Sequence, residues 1–302
     1  MLRITHNLLA DRQAAMQSGP TVLRPLLALH SSASSGGQWK ALAAALDGVA
    51  PAITPDLPGY GRAAFRDGRR DPDRDGPPSL DADAAAVLRG LGDAAAAFHL
   101  VGHSYGGAVA MKIALNHPGR VLSLTLIEPV LFHLLPLAGG AEDLRLYRGI
   151  LGIRDRLRGA VAAGWPAHGM AAFVDFWNGA GSWDALAVEQ RQRLAGQARA
   201  VLDNFTAVLD ERWPVADVAR LRCPLLTVTG AQSPAVARQV TDRILDAAPA
   251  ATAARVFRAG HMAPLTHAAT VNALIGRHIR LAGAAEGPAA RAPRFRRTSA
   301  AA

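Results

Sequence analysis

Cysteine is all but missing from this chain. Cys223 is the only one in 302 residues, so no internal disulfide can form and a cysteine-built metal site is not expected. Its place before Pro224 and a strand pattern reads as a buried, inert thiol. Lysine is nearly as scarce. Lys40 and Lys112 are the only two, and arginine supplies the rest of the 33 basic residues behind a formal charge of +9. Those arginines are scattered and no recognition motif accompanies them, so no nucleic-acid partner is expected. No run of 18 apolar residues occurs, which excludes a spanning helix and argues against a membrane partner. The first residues lack the basic-then-apolar layout of a secretory leader, which points to a cytoplasmic location. Aromatic residues are only 5% of the chain while hydrophobic residues are 50%. The core must therefore be built of Ala, Leu and Val. The length suits one large domain, or one domain with an inserted lid.

Against this sparse background one stretch carries chemistry: Leu100-Val101-Gly102-His103-Ser104-Tyr105-Gly106-Gly107. An apolar run from Phe98 ends at Gly102. A small-residue helical pattern begins at Tyr105. The serine between them has glycines two residues before and two after, the G-x-S-x-G of a strand–turn–helix nucleophile elbow. A serine there occupies a tight, strained turn, and the neighbouring backbone passes close by without Cβ atoms. The turn lifts Oγ above the strand ends. It also sets the next N–H at a helix N-terminus, where it can help hold an oxyanion.

Around the elbow the pattern alternates. Pro25 to His30, Ala52 to Thr54, Phe98 to Val101, Val121 to Ile127, Leu225 to Thr229 and Ala254 to Phe257 read as short strands, apolar on both faces. Helical stretches separate them, among them Leu80 to Ala97, for which Ser79 is a plausible N-cap. This is the signature of a parallel sheet covered by helices. Residues 132–213 break the rhythm with helical patterns only. We therefore divide the chain into a first part of the core at 1–131 (1–20 without assignment), a helical cap or lid at 132–213, the rest of the core at 214–280, and a disordered basic tail at 281–302.

A serine hydroxyl needs a base within hydrogen-bond reach, and the base needs an orienting partner. After an elbow the expected chain order is Ser, then Asp or Glu, then His. His261 follows the last strand and Gly260, the place for the base. The usual place for the acid is the loop after Leu225–Thr229, but that loop reads Gly230-Ala231-Gln232-Ser233-Pro234 and holds no carboxylate. A serine at 233 cannot offset an imidazolium charge. Glu128, at the end of the strand Val121–Ile127, stands on the same sheet edge as Ser104 and becomes the leading candidate. Asp203, Asp210 and Asp242 remain as alternatives. The oxyanion donors are assigned to the backbone N–H groups of Ser32 and Tyr105. Trp165, Phe173 and Trp177 are expected to line an apolar substrate pocket.

These pieces, in this order, resemble the α/β-hydrolase superfamily. The matching stretches are His30-Ser31-Ser32 with Trp39, Asp56-Leu57-Pro58-Gly59-Tyr60-Gly61, the Ser104 elbow, and Gly260-His261-Met262. The resemblance implies an α/β fold: a mostly parallel eight-stranded sheet, helices on both faces and an inserted helical lid. It implies neither cofactor nor metal. The Glu128 position looks like the displaced acid of haloalkane dehalogenases in the same superfamily. Those enzymes use an aspartate nucleophile, so Ser104 argues for ester-like chemistry. The implied function is a serine hydrolase of a small ester or related acyl substrate, working with water through an acyl-enzyme. Other chemistry of the superfamily (C–C bond, lactone, amide or cofactor-free peroxidase) and a non-catalytic ligand-binding role stand as alternatives.

Overall fold

Alternation along the first strand sets the two faces of the sheet. In a computed structural model the protein is described over residues 23–65, 69–92 and 96–285. Strand β1 (Leu26–Leu29) sends Leu27 and Leu29 into one apolar cluster, and Leu26 and Ala28 into another on the opposite face. That two-way split is the period-2 rule of a strand buried on both sides. The same split recurs in β3 (Phe98–His103), where Leu100 joins the first cluster and Val101 the second.

The other strands are β2 (Ala52–Ile53), β4 (Val121–Ile127), β5 (Leu225–Gly230) and β6 (Thr252–Val256). All pair in parallel, in the order β2-β1-β3-β4-β5-β6. The chain reverses direction of travel across the sheet between β1 and β3, so a crevice opens outside their carboxyl ends. Among the described residues the sheet has six strands, where eight were expected. Residues 1–22, with the unassigned stretch 1–20, lie outside the described region.

Helices cover both faces. On one lie α1 (Lys40–Ala45) and the terminal α11 (Ala268–Ala285). On the other lie α2 (Leu80–Leu91) and α3 (Tyr105–Asn116), which pack together. The Ser79 hydroxyl accepts from the Ala82 N–H and caps α2. The helix stops at Leu91, short of the expected Ala97, because Gly92 turns the chain with φ 57°. Helix α11 runs through Ala285, five residues into the stretch expected as tail. Ala282 is buried there at helical spacing from Ile275 and Ile279, so packing carries the helix onward. Residues 286–302 lie outside the described region.

Between β4 and β5 come five α-helices, a 3-10 turn at Val215–Arg220 and no strand among the described residues: α4 (Leu134–Ala138), α5 (Ala141–Ala162), α6 (Pro166–Asn178), α7 (Val188–Gly196) and α8 (Ala198–Leu209). Beyond β5 follow α9 (Ala235–Ala247) and the short α10 (Ala263–Thr266). Cys223 is half-buried, and burial pushes its thiol up to about 11, so it stays protonated.

Glycine is obligatory where β3, α3 and β1 meet. A Cβ at Gly106 would lie 2.4 Å from the Leu29 carbonyl oxygen, and one at Gly102 would lie 2.3 Å from the Gly106 oxygen. Both obstacles are backbone and cannot swing aside. In the middle of α5, by contrast, nothing lies within 4 Å of a Cβ built on Gly152. Gly106→Ala should therefore destabilise by about 3 kcal/mol, whereas Gly152→Ala should stabilise by about 0.5–1 kcal/mol through lower chain entropy. Urea unfolding of the two variants checks the opposite signs.

Candidate active site

The sheet ladder puts the chemistry at one level. His103 of β3 lies opposite Ile127 of β4, and Ile127 lies opposite Val228 of β5. The ladder extends one step past the strands: the Ser104 N–H donates to the Ile127 carbonyl at 2.9 Å, and the Glu128 N–H donates to the Val228 carbonyl at 3.1 Å. Ser104 and Glu128 thus leave neighbouring strand ends side by side. Both are strained. Ser104 has φ 55° and Glu128 φ 46°, a left-handed backbone that side chains other than glycine rarely adopt. The turn at Ser104 is the elbow that the glycine spacing predicts.

The Glu128 side chain is fully enclosed (0% exposed). Its Oε2 faces His261 Nδ1 at 2.6 Å, so a ring proton on Nδ1 is donated to the carboxylate. Its Oε1 accepts from the Gly230 N–H at 2.6 Å and from the Ser233 hydroxyl. Burial by itself would raise this carboxyl. The hydrogen bond and charge of His261, with the Gly230 and Ser233 donors, outweigh burial and hold it below the usual carboxylate range. The carboxylate is therefore ionised at neutral pH. Ser233 occupies the place where an acid was first sought and turns out to hold Glu128 instead. Of the other carboxylates considered, Asp203 sits 3.7 Å from Arg70, and burial pushes it up.

His261 is held from three sides. Its Nδ1 meets Glu128. Its carbonyl oxygen accepts from His103 Nε2 at 2.8 Å. Its ring stacks on Trp177 of α6, with centroids 4.1 Å apart and planes 27° apart. His103 in turn accepts at Nδ1 from the Gln38 amide at 3.2 Å. The Gln38 oxygen accepts from the Ser31 N–H at 3.2 Å and from its hydroxyl at 3.0 Å. One polar chain therefore ties the loop after β1 to the loop that carries His261. The motif spacing gave His103 no more than a ring turned away from the site, and no signal marked Gln38. His30, beneath the same loop, accepts from the Leu57 N–H at 2.9 Å and fixes the Asp56–Gly61 turn.

Ser32 and Tyr105 border the same cavity as Ser104. Among the described residues neither backbone N–H has an acceptor. The Tyr105 phenol points elsewhere: it donates at 2.7 Å to Asp83, which also binds Arg70 at 2.8 Å. The Ser104 hydroxyl likewise has no hydrogen-bond partner among the described residues, and it borders a narrow cavity of about 20 Å³, room for about one water molecule. Phe173 and Trp177 form part of the wall, with Val130, Phe132 and Phe205. Trp165 does not. It stands at the start of α6, 70% exposed, because Gly164 (φ 82°) turns the chain and Pro166 opens the helix just after it. Among the described residues no cluster of three His, Cys, Asp or Glu side chains is placed to hold a metal ion.

A strained serine at a strand–helix turn, a histidine beyond the last strand and a parallel sheet beneath them define the α/β-hydrolase class. The chain belongs to that family: the model of the alpha/beta hydrolase family matches residues 26–274. Lipase LipV of Mycobacterium tuberculosis is 32% identical over 160 residues, which are 52% of this chain and 55% of the lipase. A fluoroacetate dehalogenase of a Burkholderia species is 33% identical over 111 residues, 37% of this chain and 34% of the dehalogenase. The matched stretch thus spans about half the length of the first curated relative and a third of the second. A hydrolase from Pseudomonas aeruginosa PA01 superposes with a TM-score of 0.61 at 23% identity, covering 87% of this chain and 92% of that one. At that identity the likeness is one of fold.

The buried His103 titrates far from its free value. Burial first, then the neighbouring His261 charge, bring it down from 6.5 to about 3. The folded chain keeps the ring neutral while the unfolded chain takes up the proton below pH 6.5. Stability is therefore full above that pH and erodes as the solution is acidified. From pH 6.5 to about pH 5 the native chain should lose about 1.6 kcal/mol more than a His103→Asn variant. Urea unfolding of both at the two pH values measures the difference.

Proposed function

We propose that this chain is a serine hydrolase of small carboxylic esters or related acyl compounds. The observation that carries the reading is the buried Glu128–His261 hydrogen bond, 2.6 Å long, at the rim of the strained Ser104 turn. A carboxylate kept ionised against Nδ1 leaves Nε2 free to take a proton, which is what an activated serine requires.

In the proposed reaction Ser104 Oγ attacks the acyl carbon while His261 Nε2 accepts its proton. The resulting imidazolium keeps its Nδ1–H on Glu128. The carbonyl oxygen, now an anion, takes hydrogen bonds from the Ser32 and Tyr105 N–H groups. Loss of one such donor typically costs about 3 kcal/mol of transition-state stabilisation. The C–O bond to the leaving group breaks, and His261 returns the proton to that oxygen. Water then attacks the acyl-enzyme with His261 as base, which releases the acid and restores Ser104. The reaction requires the Ser104 hydroxyl to come within hydrogen-bond reach of His261 Nε2, a contact that commonly tightens when substrate binds.

The five helices between β4 and β5 act as the lid in this reading. Trp177 bridges lid and site, since it stacks on His261 and borders the cavity. The narrow cavity beside Ser104, lined mostly by apolar side chains, favours a compact, uncharged acyl group. The lipase relative agrees with ester chemistry. Against the dehalogenase relative, a serine nucleophile at 104 favours acyl transfer over halide displacement.

A fluorophosphonate probe should label Ser104 and fail to label Ser104→Ala; a folded native chain left unlabelled overturns the reading. Glu128→Gln should lower kcat for p-nitrophenyl esters by about 10³- to 10⁴-fold, because the imidazolium loses its counter-charge. Ser233→Ala removes one of three hydrogen bonds to that carboxylate and should cost about tenfold or less. The reverse ranking would refute the assignment of the acid.

A further inference from the structure

Beyond the Ser104 hydroxyl and the Ser32 and Tyr105 N–H groups already given roles, one polar group on the cavity wall is left without a partner among the described residues. The Tyr105 phenol goes to Asp83. The Ser32 hydroxyl goes to Asn204 Oδ1 at 2.8 Å. Asn204 comes from α8 of the helical insertion, is 4% exposed, and borders the cavity together with Ser104. Its Oδ1 takes a second proton from the Tyr60 hydroxyl at 2.5 Å. The Tyr60 phenol thus gives its own proton to Asn204. Burial also keeps that phenol protonated. With both hydroxyls donating to Oδ1, Nδ2 is the end of the carboxamide left without a partner.

The Nδ2 group is then left with two protons and no acceptor among the described residues. Its surroundings on the wall are apolar: Val201, Phe205, Phe173 and Val208. A donor in such a setting carries a desolvation penalty until something accepts from it. The accepting group must be neutral. No arginine or lysine borders the cavity, although the chain has 33 basic residues, so a carboxylate would enter without a counter-charge.

We infer that Asn204 is a specificity-determining residue whose Nδ2 donates to a neutral ether or keto oxygen of the acyl group, close beside the scissile carbonyl. The closeness follows from Ser32: its hydroxyl binds Asn204 while its N–H is the proposed oxyanion donor. Substrates would be short acyl esters that bear such an oxygen, in preference to all-carbon chains of the same size. The inference rests on the ester-hydrolase reading above.

The test uses two esters of equal shape, p-nitrophenyl methoxyacetate and p-nitrophenyl butanoate. The ratio of their kcat/KM values is measured in the native chain, in Asn204→Leu and in Asn204→Asp. The aspartate keeps an acceptor for Tyr60 and Ser32 but removes the donor. Intrinsic ester reactivity cancels when the ratios are compared. The preference for the methoxy ester should fall about tenfold in both variants. An unchanged ratio in folded, active variants would overturn the inference alone, even if both esters slow together, because a propping role would slow them alike. A native chain that cleaves neither ester and escapes fluorophosphonate labelling at Ser104 would overturn the hydrolase reading and this inference with it.

Discussion

The hydrogen bond between Glu128 and His261 is the constraint around which the rest of the site is built. An ionised carboxylate with no solvent exposure is unfavourable by itself. It is tolerated here because each oxygen is spoken for: Oε2 by His261, Oε1 by Gly230 and Ser233. The cost reaches into the backbone. Glu128 adopts φ 46°, and position 230 must be glycine, since a Cβ there would lie 2.4 Å from the Ala259 oxygen and 2.6 Å from Ser233 Oγ. The ladder across β3, β4 and β5 fixes the level at which all this occurs.

A second, neutral network complements the charged one. Ser31, Gln38 and His103 link the loop after β1 to the His261 backbone. Tyr60 and Ser32 link the core to Asn204 of the insertion. Trp177 closes over the His261 ring. His261, the proposed oxyanion donors and the helical insertion are therefore coupled through side chains of 8% exposure or less, apart from the partly exposed Ser32. Displacement of any one loop would be felt by the others, because packed interiors transmit strain.

Much of the fold was legible in the sequence because its signals are local. Short two-faced apolar strands, helical spacing and the glycines around Ser104 each follow from steric rules that act over a few residues. The six strands fall where the apolar runs lie. The count of eight came from family likeness, and the described residues supply six. The position of His261 was readable from Gly260 and the strand before it. Glu128 was reached by elimination, from a loop without carboxylates and a strand ending on the right edge. Gln38, His103 and Asn204 were not legible in these roles. Each acts across 65 residues or more, and no short pattern encodes such a pairing. Trp165 shows the converse: an aromatic side chain near pocket residues in sequence is turned to solvent by Gly164 and Pro166.

The central claim is that Glu128, from the end of β4, orients the proposed base. Relocating the acid tests it most directly. Turnover of a p-nitrophenyl ester is measured for Glu128→Gly and for the double variant Glu128→Gly with Ser233→Asp. Glycine accepts the left-handed backbone at 128, and the aspartate returns a carboxylate to the loop after β5. The account predicts that the single variant loses about 10³- to 10⁴-fold in kcat and that the double variant regains at least about tenfold of it. Near-native turnover in Glu128→Gly would contradict the account, because it would mean that His261 does not depend on this carboxylate.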